Sequence, residues 1–356
     1  MLTRRIITAA IVALAAVIGA AAPAVAQKKT DFKLAWSIYV GWVPWQWAED
    51  QGIVKKWADK YGITIDVVQF NDYVESINQY TAGAFDALTV TNMDALSIPG
   101  TAGVDTTAVI VGDFSNGNDA VILKDKASLA DIKGQTVNLV EFSVSHYLLA
   151  RALDSAGLAE RDVKVVNTSD ADMVAAWATP DITAVVTWNP LVSEIMAMPG
   201  ANKVFDSSRI PGEIIDLTVV NTQTLAANPD FGKALVGIWY ETMAIMSADT
   251  QAGAAARAAM GTATGTDLAG YEAQLKATRM FYTPAEAVAF VQGPEPKATM
   301  DKVRSFLFTH GLLGNGAPNA DAVGMEFADG SILGNPQFVK LRFTAEWMAL
   351  AADGKL

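Results

Sequence analysis

The stretch from Tyr39 to Trp47, YVGWVPWQW, sets four aromatic side chains and a proline in nine positions. Before it, FKLAWSI (32–38) reads as a short buried strand. After it, WQWAEDQGIVKKWADKYG (45–62) reads as an amphipathic helix. The cluster therefore falls where a strand ends and a helix begins, the edge at which open α/β sheets bind ligands. Aromatic faces there can stack on a flat ligand or hold a cation, which makes Tyr39, Trp42 and Trp45 candidates, with core packing the alternative for any single one. Two acidic residues stand in comparable places. Asp94 follows the strand FDALTVTN (85–92), and Glu141 closes the strand TVNLVEF (136–142). Carboxylates beside aromatic faces suit guanidinium, whose N–H donors form a fork that matches a carboxylate and whose face can lie on an aromatic ring. A neutral planar amide would instead need a donor for its oxygen, a role open to Asn92, Ser143, Ser145 or a tryptophan N–H. The alternative for Asp94 and Glu141 is a charge at a helix N-terminus, and for Ser143 a helix cap.

The chain contains no cysteine and only two histidines, His146 and His310. That excludes a disulfide framework and leaves few ways to build a metal site or a catalytic triad. His146 falls in the first turn of a helix, where packing is its expected role. The net charge of −12 argues against nucleic acid and anionic lipid as partners.

Strand and helix alternate over 32–113, with strands at 63–70, 85–92 and 106–114 and a helix over 71–83 capped by Asn71. SNGND (115–119) breaks the pattern, and the same alternation resumes over 120–210. In the second stretch SVSHYLLARALDSAGL (143–158) is a helix with Ser143 at its N-cap. NPLVSEIMAMPG (189–200) is another, with Asn189 at N-cap and Pro190 at N1. IIDLTVVNT (214–222) reads as a return strand. After it the spacing predicts helices, among them 231–248, 283–291 with a T-x-x-E capping box, 296–313 and 336–354. Tryptophans 57, 177, 239 and 347 lie within helices and are expected in the core.

Residues 1–26 have the parts of a secretory signal: Arg4 and Arg5, the apolar run IITAAIVALAAVIGA, and Ala24-Val25-Ala26 as cleavage site. They predict export and a mature chain from Gln27, free in a periplasm because no cysteine is available for lipid attachment.

Several segments resemble the periplasmic solute-binding proteins of ABC importers, of the nitrate/taurine type. They are AEDQGIVKKWADKYGITIDVVQF (48–70), YTAGAFDALTVTNMDAL (80–96), SLADIKGQTVNL (128–139), SHYLLARALDSAGLAERDVKVVN (145–167) and DITAVVTWNPLVSEI (181–195). The tail MEFADGSILGNPQFVKLRF…AADGKL resembles the branch associated with urea carboxylase, whose members are described as urea binders and whose partner enzyme type is associated with guanidine. The resemblance implies an α/β fold of two lobes joined by two crossovers, with a helical C-terminal section on lobe one. The lobes would be 27–113 with 219–356, and 114–218. It also implies a ligand in the cleft, hinge closure, an inner-membrane ABC permease as partner and no cofactor. It puts Trp188 at the cleft mouth. The family pattern has small or hydroxyl residues where this chain has Glu141, a departure that speaks against an anion and for guanidinium or urea. A related fold supports a pyrimidine-forming enzyme, but that chemistry needs a reactive His or Cys set that this chain lacks.

Overall fold

A computed structural model describes residues 29–314 and 316–356; the signal-peptide reading of 1–26 lies outside the described residues. Two sheets organise the rest. The larger has nine strands. Across it run Ile332–Leu333, Gly324–Glu326, Val339–Phe343, Thr106–Ser115, Ile215–Asn221, Ala87–Thr91, Asp31–Ser37 and Thr64–Phe70, with Thr278–Met280 added beside Thr106–Ser115. The smaller has five strands in the order Lys164–Asn167, Thr136–Leu139, Ala184–Thr187, Ala120–Lys124 and Ala201–Asp206. The chain passes from the first sheet to the second between Ser115 and Ala120, and returns between Asp206 and Ile215.

Pairing is parallel where a helix intervenes, as between Asp31–Ser37 and Thr64–Phe70. It is antiparallel at the strands next to the passages: Ile215–Asn221 against both neighbours, and Ala120–Lys124 against both of its own. A strand that returns from another sheet arrives without a crossover helix, so nothing obliges it to run parallel. Central strands such as Ala87–Thr91 are buried throughout, because helices cover both faces.

Three expectations are corrected. The helix over 45–62 is two helices, Pro44–Asp50 and Ile53–Tyr61, separated at Gly52, whose φ of 73° belongs to the left-handed region. The cap of the next helix, Tyr73–Thr81, is Asp72 rather than Asn71, its carboxylate accepting from the Glu75 N–H. The section after 222 is not helices alone: it supplies four short strands to the large sheet. VKLRF, expected within a helix, is the strand Val339–Phe343. Leu341 and Phe343 alternate inward, and the strand pairs with Thr106–Ala108. The expected helices 231–248 and 283–291 appear as Pro229–Ser247 and Pro284–Gln292, the latter with its Thr283/Glu286 capping box complete.

Candidate functional site

Four aromatic rings from both sheets meet over one small cavity. Tyr39 and Trp42 lie on the turn after Asp31–Ser37, Tyr73 opens the helix Tyr73–Thr81, and Trp188 follows the second-sheet strand Ala184–Thr187. The Tyr39 and Trp42 rings contact edge to face at 5.0 Å between centroids. Trp42 is 5.7 Å from Tyr73, and Tyr73 is 5.6 Å from Trp188. All four are at most 5% exposed, so the box is shut. In this shut form the cavity is about 20 Å³, room for little more than a water, so a ligand larger than that needs the rings to part.

Direct hydrogen bonds close the second sheet's elements onto the first. Trp188 Nε1 donates to the Ile38 carbonyl at 3.0 Å, and the Val40 N–H donates to the Asn189 carbonyl at 3.3 Å. The Tyr73 N–H donates to Asp170 at 3.2 Å, and the Val144 N–H to Asp94 Oδ2 at 3.3 Å. Beside the cavity Glu213, on the return passage, receives Tyr147, Arg151 and Lys302.

Carboxylates line and underlie this box. Asp119 and Asp216 face the cavity, and Asp113 stands beside Asp216 as its register partner across the strand pair. Tyr39 Oη donates to Asp113 Oδ1 at 2.7 Å, while Ser115 Oγ donates to Asp119 Oδ2 at 2.5 Å. Asp94 Oδ2 receives Tyr73 Oη at 2.9 Å and Thr91 Oγ1 at 2.9 Å. Asp94 Oδ1 is buried without a hydrogen-bond partner among the described residues, and Asp113 Oδ2 and Asp216 Oδ2 have none there unless a proton lies between the two carboxyls. None of the residues lining the cavity is Lys, Arg or His.

A charge taken out of water costs several kcal/mol unless it is paired, and these groups show it. Burial pushes the Asp94 carboxyl up to about 6 and that of Asp119 up to about 7. Burial raises Asp113 and Asp216 as well, and the nearness of Asp113 adds to the rise at Asp216, so the pair tends to share a proton. The Tyr39 and Tyr73 hydroxyls, raised well above their usual value by burial and then by Asp113 and Asp94 respectively, stay protonated and donate. The arrangement can pair with a small cation, whose charge would offset that of the carboxylates and whose faces would rest on the rings.

The structure brings together Tyr39, Trp42, Asp94 and Trp188 of the sequence candidates and leaves the others elsewhere. Trp45 turns into the core, fully buried, with its ring 5.4 Å from Trp239. Asn92 pins the return passage, donating to the Glu213 carbonyl and accepting from the Ile215 N–H. Ser143 caps the helix Val144–Ser155. Glu141 is not at the cavity. The strand ends at Leu139, so Glu141 falls half-buried on a turn, where its N–H donates to Asn167. Sequence reasoning missed Tyr73, Thr91, Asp113, Asp119 and Asp216. A signal was available for two of these: Asp113 and Asp216 each interrupt an otherwise apolar strand.

Gly41 packs the turn down on this site. A Cβ there would stand 2.4 Å from the Tyr39 ring and 2.7 Å from Asp113 Oδ2, so only glycine lets the backbone approach this closely.

Comparison with known proteins follows the same lines. A binding protein of Brucella abortus is 26% identical over 188 residues, 51% of this chain and 56% of that protein. The taurine-binding periplasmic protein of Escherichia coli is 26% identical over 130 residues, 35% of this chain and 40% of that one. The chain thus spans about half the length, or less, of these curated relatives. Among solved structures, the alkanesulfonate-binding protein of Xanthomonas axonopodis pv. citri, bound to MOPS, superposes with a TM-score of 0.66 at 16% identity. That match covers 82% of this chain and 96% of the other, and it shows a shared two-lobed α/β fold. The NMT1-like family model matches residues 27–260, and the chain belongs to that family.

Proposed function

We propose that this protein is the periplasmic solute-binding component of an ABC importer, and that its ligand is a small planar nitrogen cation, guanidinium by preference. The lobes would be 27–113 with 219–356, and 114–218, the cavity lying between them; the passages between the sheets at 115–120 and 206–215 support that division. Export by the N-terminal segment and delivery to an inner-membrane permease belong to the same reading, as does a role in binding rather than catalysis.

The observation that carries the ligand class is the set of buried aspartates at an aromatic box lined by no basic side chain. The relatives named above bind taurine and alkanesulfonate. An anion in this cavity would meet the Asp119 carboxylate and the charge left on the Asp113–Asp216 pair with no basic side chain on the lining to offset them. A guanidinium would instead donate to those carboxylates and lie against the Trp42 or Trp188 face.

Urea is the second reading, favoured by one observation. Carboxyls raised to about 7 can be protonated and so donate to the urea oxygen. Isothermal titration with guanidine, urea, taurine and nitrate at pH 8 separates the readings. Guanidine binding with a one-to-one stoichiometry, the ligand recovered unchanged, is the expected result. Binding of taurine or nitrate without guanidine would overturn the cation reading, and turnover of the ligand would overturn the binder.

A further inference from the structure

Both histidines of the chain come together, their rings 5.3 Å apart between centroids, and neither lines the aromatic cavity. His146 lies in the first turn of the helix Val144–Ser155, Glu160 opens the short turn Glu160–Asp162, and His310 ends the helix Glu295–Thr309. One nitrogen from each ring and one oxygen of Glu160 lie within 4.8 Å of one another. Glu160 Oε1 is 2.6 Å from His310 Nε2 and 3.6 Å from His146 Nε2.

We propose that His146, Glu160 and His310 form a site for a divalent transition-metal ion, with zinc the best match. Two imidazoles and one carboxylate are a donor set that zinc takes with a fourth position left to water. At metal–ligand bonds of about 2.0–2.2 Å, tetrahedral donors stand about 3.4 Å apart. The His146–Glu160 spacing meets this already, and the His310–Glu160 contact has to open by less than about 1 Å.

Two further features point to a ligand. His146 Nε2, on a side chain only 3% exposed, makes no hydrogen bond of ordinary length among the described residues and faces Glu160 Oε1 at 3.6 Å. His310 Nδ1 lies 2.8 Å from the Phe306 carbonyl, and donation there holds the ring by an outer partner as in metal-bound histidines, while Nε2 gives up to solvent the proton it now shares with Glu160 and binds the metal in its place. The cost falls at His146, whose Nδ1 accepts from the Phe142 N–H at 3.2 Å. Ligation through Nε2 moves the ring proton to Nδ1 and exchanges that bond for a metal–nitrogen bond. Phe142 can give way, being 44% exposed on a turn with φ of 63°. An open groove beside Tyr147, Arg151, Phe306 and His310 supplies an entry path.

Such an ion would join a helix packed on the small sheet to one packed beside the large sheet. Equilibrium dialysis of tag-free, chelator-stripped protein against zinc chloride tests the site. One zinc per chain is expected, with affinity falling more than about 100-fold in His310→Gln and in Glu160→Gln, beyond what loss of an outer-shell partner costs. Histidine ring NMR keeps the test decisive should a variant not fold, since the wild-type chain has only two histidines. Both sets of resonances must shift on adding stoichiometric zinc. Absence of stoichiometric zinc, equal affinity in folded variants, or unmoved histidine resonances would leave Glu160–His310 as an ion pair and overturn the proposal.

Discussion

At the scale of single residues, the aspartates differ in what they contribute. Asp119 faces the cavity and is ionised above about pH 7, so it is the natural counter-ion of a bound cation. Asp119→Asn keeps the shape and removes the charge. Guanidine affinity should then fall by about 2–5 kcal/mol, the range for one lost partner of a buried charge pair, while any urea affinity changes little. Titration calorimetry with both ligands measures this, and equal losses for the two would assign Asp119 to structure. Asp216 is raised well above the usual range by burial and then by Asp113, which is itself raised by burial, so the pair holds a proton between them. Asn resembles a protonated carboxyl, so Asp216→Asn should cost less than Asp119→Asn. Glu141→Gln, on its half-buried turn, should leave affinity within about 0.5 kcal/mol of wild type.

At the scale of elements, the turn Tyr39–Val43 and the strand end at Trp188 form a clasp between the two sheets. Trp188→Phe keeps an aromatic face on the cavity and removes the Nε1 donor to Ile38. A net hydrogen bond is worth about 0.5–1.5 kcal/mol. Guanidine binding should weaken by a few-fold, mainly through faster release, which stopped-flow fluorescence reads; an unchanged release rate would mean that the clasp does not hold the closed form. Gly41→Ala tests the turn itself. Its Cβ must displace the Tyr39 ring or Asp113, so ligand affinity should drop more than thermal stability does.

At the scale of the whole molecule, pH dependence follows from the buried carboxyls. Asp94 and Asp170 at about 6, and Asp119 at about 7, lie above their unfolded value of 3.8. Between those limits the folded chain binds more protons than the unfolded one, so this contribution is full below about pH 4 and is lost as pH rises through 6 to 7. His310, raised chiefly by its bond to Glu160, acts in the same sense. Groups held low, such as Glu160 at about 2 through His146 and His310, change stability only in more acid solution. The ligand-free protein should therefore melt at a lower temperature at pH 8 than at pH 5.5. Guanidine, which needs the ionised carboxylates, should raise the melting temperature more at pH 8. Thermal scans at both values check the two signs together, and a larger guanidine effect at pH 5.5 would contradict the charge pairing.

The alternation of apolar strands with capped helices was enough to read the α/β class and the break at SNGND, because local periodicity and turn chemistry act within a few residues. The same locality picked out the turn around Tyr39 and Trp42 as a candidate, the resemblance picked out Trp188, and the structure lines one cavity with all three. Locality could not say that Trp45, three residues from Trp42, faces the opposite way into Trp239, since that depends on which side of the helix Pro44–Asp50 the long helix Pro229–Ser247 covers. Nor could it assemble the carboxylates. Asp113 and Asp216 become neighbours only through an antiparallel register between strands about a hundred residues apart, and Asp119 joins them because the passage at SNGND doubles back on Ser115. Glu141 had the local position of a ligand-binding residue and lost it when the strand stopped at Leu139. Which aspartates are buried together was decided by the tertiary structure alone.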